Sequence, residues 1–390
     1  MHTAYQWAQS LSPDLTVKLA AIHRHLPDLL HMISLQLLAT FLLSNIAAAV
    51  ITFVCVEVCR DIFHTLGHTW RGLTPHHAWH HAAYKRDFIK RWGSYFPSLW
   101  HNDMPESIMM VIVATGFCLV AHAWPALSAT LPGCLFILLR TLKELGIKIL
   151  RILKVKQAIE TDETHKNVHL TEPPAQWRVN LSYHYRHHFD DPYAYLSGTI
   201  TLLDKLMKTA LSLKGRTITF DSYLGDLDAP LRQQLAQAGA VVTAAETPID
   251  VEATSILVLD AACLPEICPQ STIQQMEQFL ATVQTNRDIT TKEIWLMVSD
   301  AESAIAWASL DQLYQRYLAD WITRRRLDAP CILRKIVVGR QRPLTAQTAR
   351  KIVTAVQRDM RNIVVGSSFW ITASQPIKEW IVATFFRLTQ

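Results

Sequence analysis

Ten of the chain's 17 histidines fall into four groups, and the grouping repeats. His64 and His68 stand four apart in HTLGH. His77, His80 and His81 follow in HAWHH, spaced i, i+3, i+4. Further on, His165 and His169 repeat the pair in HKNVH, and His184, His187 and His188 repeat the triplet in HYRHH. On a helix both spacings put the imidazoles on one face, one turn apart. Gly72, Thr74 and Pro75 mark a break between the first pair and triplet: glycine suits a helix end, threonine an N-cap, proline a first helical position. Pro173 and Pro174 separate the second pair and triplet. The spacing therefore predicts short helices whose histidine faces meet across long stretches of sequence. Neutral imidazole ligates iron, zinc, copper and nickel. Ten such ligands are too many for one ion, so two ions are expected. Structural zinc usually brings cysteine, and no cysteine lies in these groups.

The flanking segments are apolar. Half the chain is hydrophobic and 18% is charged, which suits a protein with a membrane half. Leu29 to Val56 holds no Asp, Glu, Lys or Arg, and it exceeds the ~20 residues a transmembrane helix needs. It is expected to span the bilayer and run on past Glu57 and Arg60 into the first histidine pair. Ser107 to Leu139 is also free of these charges, with turns on offer at Trp124-Pro125 and Pro132-Gly133, and reads as a helical hairpin. Residues 82–105 are basic and aromatic: Lys85, Arg86, Lys90 and Arg91 suit a cytoplasmic lipid surface, and Trp92, Tyr95, Phe96 and Trp100 an interfacial belt. Arg140, Lys143, Lys148, Arg151, Lys154 and Lys156 make the far end of the hairpin basic too. By the positive-inside rule the histidine groups face the cytoplasm. Residues 1–28 read as an N-terminal amphipathic segment, too polar to span, and without the pattern of a signal peptide. No block of Lys and Arg interleaved with aromatics points to nucleic acid. The seven cysteines have no framework spacing, and Cys55 and Cys59 read as buried thiols.

As a set, HTLGH, HAWHH, HKNVH and HYRHH resemble the histidine boxes of the fatty acid hydroxylase / sterol desaturase superfamily, over roughly residues 30–200. That resemblance implies an α-helical membrane domain, placed here at 29–205, in which the ten histidines hold two iron ions. It implies O2-dependent hydroxylation or desaturation of a lipid or sterol-like substrate drawn from the bilayer. Such chemistry needs two electrons, and the chain has no flavin, haem or iron–sulfur motif. An external donor, a ferredoxin or a cytochrome b5-like protein, is the expected partner. Asp190 and Asp191, just beyond the last box, are expected to orient a ligand imidazole through its other N–H, unless they form an exposed turn before Pro192. Aldehyde-to-alkane chemistry, as in wax-forming proteins with similar boxes, is one alternative. A non-catalytic metal-binding membrane scaffold is the other.

From residue 214 the pattern changes. Apolar runs at 218–220, 240–244, 255–261, 293–299, 331–339 and 362–366 alternate with helical patterns. This argues a parallel sheet with helices on both faces. The order resembles a short-chain dehydrogenase, so a Rossmann-like α/β domain is expected over 214–390. Its chemistry is missing. The phosphate turn, DSYLGDLD, has one glycine where the fingerprint wants three, and Asp226 and Asp228 repel phosphate. Asp311 and Gln315 stand where that family has its Tyr-xxx-Lys, with Ser299 matching its serine. The domain is expected to bind no NAD(P) and to serve structure or docking. The C-terminal run IKEWIVATFFRL reads as an apolar-aromatic helix.

Overall fold

A computed structural model describes residues 13–220, 229–244, 250–261, 269–299, 310–339, 344–366, 381 and 384. Side chains are described from residue 34 onward, apart from 244, 269 and 310–312. The turn at 221–228, with Asp226 and Asp228, lies outside the described residues. So do residues 1–12 of the N-terminal segment and nearly all of the C-terminal run.

In chain order the first half forms α1 (Pro13–Thr69), α2 (Thr74–Ala82), β1 (Tyr84–Lys85), β2 (Ile89–Lys90), α3 (Trp92–Ser98) and α4 (Met104–Ala123). It continues with α5 (Leu131–Ile152), α6 (Lys156–Glu160), α7 (Leu181–Phe189) and α8 (Leu202–Met207). The chain divides into two compact units, one of residues 1–56 and 107–146, the other of 57–106 and 147–390.

The first unit is helical. Among the described residues three helical stretches, Ser34–Thr69, Trp92–Ala123 and Pro125–Ile152, are long and apolar enough to cross a membrane, and each lies partly in this unit. Val56, Met110, Ala114 and Ile137 interlock in the interior. Outward faces are apolar as well: Leu43 is 67% exposed and Phe136 65%, a pattern that suits lipid rather than water. The hairpin turns through a 3-10 segment at Pro125–Thr130. Pro132 and Gly133 instead open α5, because proline is tolerated in a first helical turn. Gly133 lies so near α1 that a Cβ would collide with the Asn45 carbonyl oxygen. The Asn45 side chain fixes this contact, its Oδ1 accepting from Gly133 N at 2.8 Å and its Nδ2 donating to the Ala129 carbonyl at 2.9 Å.

The second unit holds the sheet. Its strands are β3 (Thr217–Phe220), β4 (Val241–Ala244), β5 (Ile256–Asp260), β6 (Glu293–Ser299), β7 (Ile332–Val338) and β8 (Asn362–Val365). All pair in parallel, in the order β4-β3-β5-β6-β7-β8. Buried parallel strands are apolar on both faces, and the period of two divides their side chains between two cores. Ile256, Val258, Trp295, Met297, Ile336 and Val338 face one core. Leu257, Leu259, Ile294, Leu296, Val298 and Val337 face the other. Renumbered from β3, the order is 2-1-3-4-5-6, which matches the flavodoxin-like doubly wound sheet rather than the dinucleotide-binding 3-2-1-4-5-6. The switch point falls between β3 and β5, whose following loops lie outside the described residues. Gln315, one of the two residues in the Tyr-xxx-Lys places, accepts from the Ser299 amide at 3.0 Å.

The basic-aromatic segment differs from expectation. β1 and β2 form a small hairpin that turns inward, and Tyr84, Phe88, Tyr95 and Leu99 build a core with Leu170 and Tyr185. Tyr95 is 1% exposed and belongs to this core, whereas Trp92 and Trp100 remain exposed.

Candidate metal centre

The histidines arrive on four segments of the second unit. The last turns of α1 carry His64 and His68. α2 carries His77, His80 and His81, beginning at Thr74 with Pro75 in its first turn. α7 carries His184, His187 and His188 and starts at Asn180, whose Oδ1 accepts from Tyr183 N at 3.0 Å as an N-cap should. The fourth segment corrects the sequence reading. His165 ends a 3-10 turn at Glu163–His165, after which the backbone runs extended. Burial of Leu170, whose amide donates to Asn286 Oδ1 at 2.7 Å, holds the chain out of helix. His169 is therefore not a turn above His165. It is exposed, in a polar cleft with Arg86, Asp87 and Asn286, outside the histidine cluster.

Eight of the other nine form two quartets. His64, His68, His77 and His187 make one, and His80, His165, His184 and His188 the other, each with ligand atoms within 4.8 Å of one another. In the first, His187 Nε2 lies 3.0 Å from His64 Nε2 and 3.3 Å from His68 Nε2. In the second, His188 Nε2 lies 3.1 Å from both His80 Nε2 and His184 Nε2, and His184 Nε2 lies 2.9 Å from His165 Nε2. His81 stands between the two. Its Nε2 is 3.2 Å from His77 Nε2, and its ring centroid is 4.8 Å from His187 and 4.7 Å from His188.

Oxygen acceptors settle the tautomers. His77 Nδ1 donates to Asn102 Oδ1 at 2.8 Å, and the Asn102 amide is itself oriented by donating to Asp103 Oδ1 at 3.0 Å. His165 Nδ1 donates to Asp162 Oδ1 at 3.1 Å and His187 Nδ1 to the Ala194 carbonyl at 3.0 Å. Each of these rings then turns an Nε2 lone pair inward. Burial, with neighbouring imidazoles adding to it, pushes His77 down to about 3 and His184, His187 and His188 well below the usual range. The rings are thus neutral, in the ligating form. Lone pairs facing one another at such distances repel unless a cation lies among them. Two nitrogens bonded to one metal at ~2.0–2.1 Å and at right angles are about 3 Å apart, which is the spacing found here. The donor set fits two imidazole-bound ions.

Asp190 and Asp191 take other partners. Asp190 pairs with Arg216 at 3.3 Å, and Asp191 accepts from Ser212 Oγ at 2.6 Å. The groups on imidazole Nδ1 atoms are instead Asn102, Asp162 and the Ala194 carbonyl, with Asp103 Oδ1 3.6 Å from His80 Nδ1. Asn102 and Asp103 belong to HND (101–103) and Asp162 stands three residues before His165; these positions were the available signal. Tyr84 and Phe88 also escaped the sequence reading. The Tyr84 ring lies flat on His165, centroids 4.3 Å apart, and its hydroxyl donates to Asp162 Oδ2 at 3.2 Å. Phe88 stacks on His184 at 5.9 Å with φ at 59°, a strained backbone for a bulky residue. Gly67 admits His77, since a Cβ there would be 2.9 Å from His77 Cγ.

The back of α7 is tied to the sheet. Arg186, inside HYRHH, is fully buried; its Nε donates to the Thr290 carbonyl at 2.6 Å and its Nη2 to Glu293 Oε1 at 3.3 Å. Glu293 also accepts from Arg334 Nε at 2.7 Å and Trp295 Nε1 at 2.9 Å, and Arg334 pairs with Asp359 at 2.6 Å. Burial works against charge on Glu293, but Arg334 and Arg186 outweigh it and hold the carboxyl at about 2.

No protein-family model matches the chain, and no solved structure matches it with significance. Among curated proteins, a monoglucosyldiacylglycerol epimerase from Synechocystis sp. is 34% identical over 403 aligned positions, which cover 88% of this chain and 97% of that protein. Identity of this level over most of this chain and nearly all of that protein shows the family, and the chain belongs to that of the lipid-modifying epimerase.

Proposed function

We propose that this protein is a metal-dependent membrane enzyme that epimerises the sugar headgroup of a monoglucosyldiacylglycerol. The observation that carries the reading is the convergence of eight imidazoles in two quartets, in a chain that shares its length with such an epimerase. Inverting a hydroxyl-bearing ring carbon takes a C–H hydrogen from one face and returns one to the other. No atom is gained or lost overall, and no electrons are consumed. That C–H is not acidic while the carbon is an alcohol, so the carbon passes through a more oxidised state and back. His64, His68, His77 and His187 would hold one ion, and His80, His165, His184 and His188 the second, with His81 between them. When bound, iron at these positions supplies the electron uptake and return that the inversion needs. Asn102, Asp162 and the Ala194 carbonyl keep the Nε2 atoms aimed inward, and the stacked Tyr84 and Phe88 exclude water from the second quartet. The basic flanks at Lys85–Arg91 and Arg140–Lys156 support a cytoplasmic side for this chemistry, by the positive-inside rule.

A second reading has its own support in the histidine motifs: O2-dependent hydroxylation or desaturation of the lipid, with electrons from an external donor. The two differ in product mass. Full-length protein in lipid nanodiscs, loaded with iron, is to be given monoglucosyldiacylglycerol and the product sugar identified. The expected product is an epimer of unchanged mass, formed without added reductant or NAD(P)H and lost when metal is removed. A product with one more oxygen or two fewer hydrogens would establish the second reading. Turnover that survives metal removal and requires NAD+ would move the chemistry to the α/β unit.

A further inference from the structure

We propose that the cavity beside His77 seats the sugar ring of the lipid headgroup, and that Trp100 and His101 select for it; this rests on the glycolipid reading above. The cavity measures about 230 Å³ and is lined by Phe63, Leu73, His76, Trp100, His101 and Pro105, with His77, Asn102 and Gly67 at its floor. Its floor is therefore part of the first quartet. Four features select the occupant. None of the lining residues is Asp, Glu, Lys or Arg, so the ligand is uncharged, unlike a phosphate-bearing headgroup. The volume lies below the ~300 Å³ at which drug-sized pockets begin, so one ring enters and the acyl chains stay outside. The wall mixes apolar faces with histidine nitrogens and an amide, whereas an acyl chain needs no polar partner. A hexose has both requirements, a face of C–H bonds to lie on an aromatic ring and hydroxyls that take hydrogen bonds.

The fourth feature is the backbone. Trp100, His101 and Asn102 lie on a π-helical turn, Leu99–Asp103, between α3 and α4. Such turns are rare and are frequent at functional sites. This one sends Asn102 down to His77 Nδ1 while leaving Trp100 60% exposed at the mouth. His101 is set between His76, with centroids at 5.5 Å, and Trp79, which stacks on it at 6.4 Å. An exposed Trp with one apolar face and a polar edge also suits the membrane–water boundary, where a glycolipid headgroup lies. The same turn thus joins headgroup recognition to the orientation of a quartet imidazole.

The test is equilibrium binding of monoglucosyldiacylglycerol to full-length protein in nanodiscs, run beside turnover and metal content. Variants are Trp100→Ala, His101→Ala and, as a control at an exposed Trp away from the cavity, Trp92→Ala. Trp100→Ala and His101→Ala are expected to weaken binding and raise KM roughly tenfold, the size of one aromatic packing contact, with kcat and metal content near wild type. Trp92→Ala is expected to match wild type, and sugar-free diacylglycerol is expected not to compete. Unchanged glycolipid affinity in both cavity variants would overturn the proposal, as would competition by sugar-free diacylglycerol at equal strength. Weakened binding in a protein that makes no epimer would uphold the cavity and refute the epimerase reading.

Discussion

At the scale of single residues, the position of one proton on each imidazole decides whether its Nε2 is a ligand. Asp162 and Asn102 hold that proton at Nδ1 of His165 and His77, one ring in each quartet. Asp162→Ala and Asn102→Leu are expected to weaken metal binding about 10–100-fold, read by competition with a chelator. Asp190→Asn, by contrast, is expected to leave metal affinity near wild type, because Asp190 faces Arg216. His80→Ala and His187→Ala are expected to abolish turnover and lower the metal content, which elemental analysis measures. Asp190 and Asp191 adjoin a box in the sequence, yet their carboxylates meet Arg216 and Ser212. The residues that touch Nδ1 atoms come from elsewhere in the chain. Both aspartates lie past the end of α7, which closes at Phe189, so standing next to a box in sequence does not aim them at an imidazole, and the partners come from other segments.

At the scale of elements, α7 has two faces with different loyalties. His184, His187 and His188 point to the quartets while Arg186 is buried against Thr290 and Glu293 of the α/β unit. The sheet thereby sets the height and rotation of the helix that serves both quartets. Removing the Glu293 carboxylate leaves two buried guanidinium groups short of a partner. Glu293→Ala is expected to cost about 3–5 kcal/mol, the usual consequence of breaking a buried pair, and to lower the thermal midpoint in detergent. The pH dependence has a definite sign. Glu293 is depressed from 4.5 to about 2 in the folded protein. Its contribution is therefore fully present above pH 4.5 and is lost as pH falls toward 2. Thermal midpoints measured across that window are expected to fall less steeply for Glu293→Ala than for wild type. An unchanged slope would mean that Glu293 does not anchor the helix.

At the scale of the whole molecule, what could be read from sequence depended on the kind of signal. The six strands were legible because a buried parallel strand is an unbroken apolar run. The hairpin was legible because 33 residues without charge have few places to go. Three of the four histidine groups lay on helices, as their spacing required. The fourth did not, since HKNVH has the right interval but is held extended by Leu170 and Asn286. Strand order was not legible either: the link from β4 to β5 carries no helix among the described residues, and nothing local says on which side of β3 the chain returns. One further property follows from how the quartets are shared. His187 and His188 are consecutive, yet they serve different quartets, and His77 and His80 divide in the same way along α2. Any rotation of either helix that opens one quartet opens its neighbour. Two ions held there would fill as a pair, and the protein would pass between an empty and a doubly loaded state with little population of the half-loaded one.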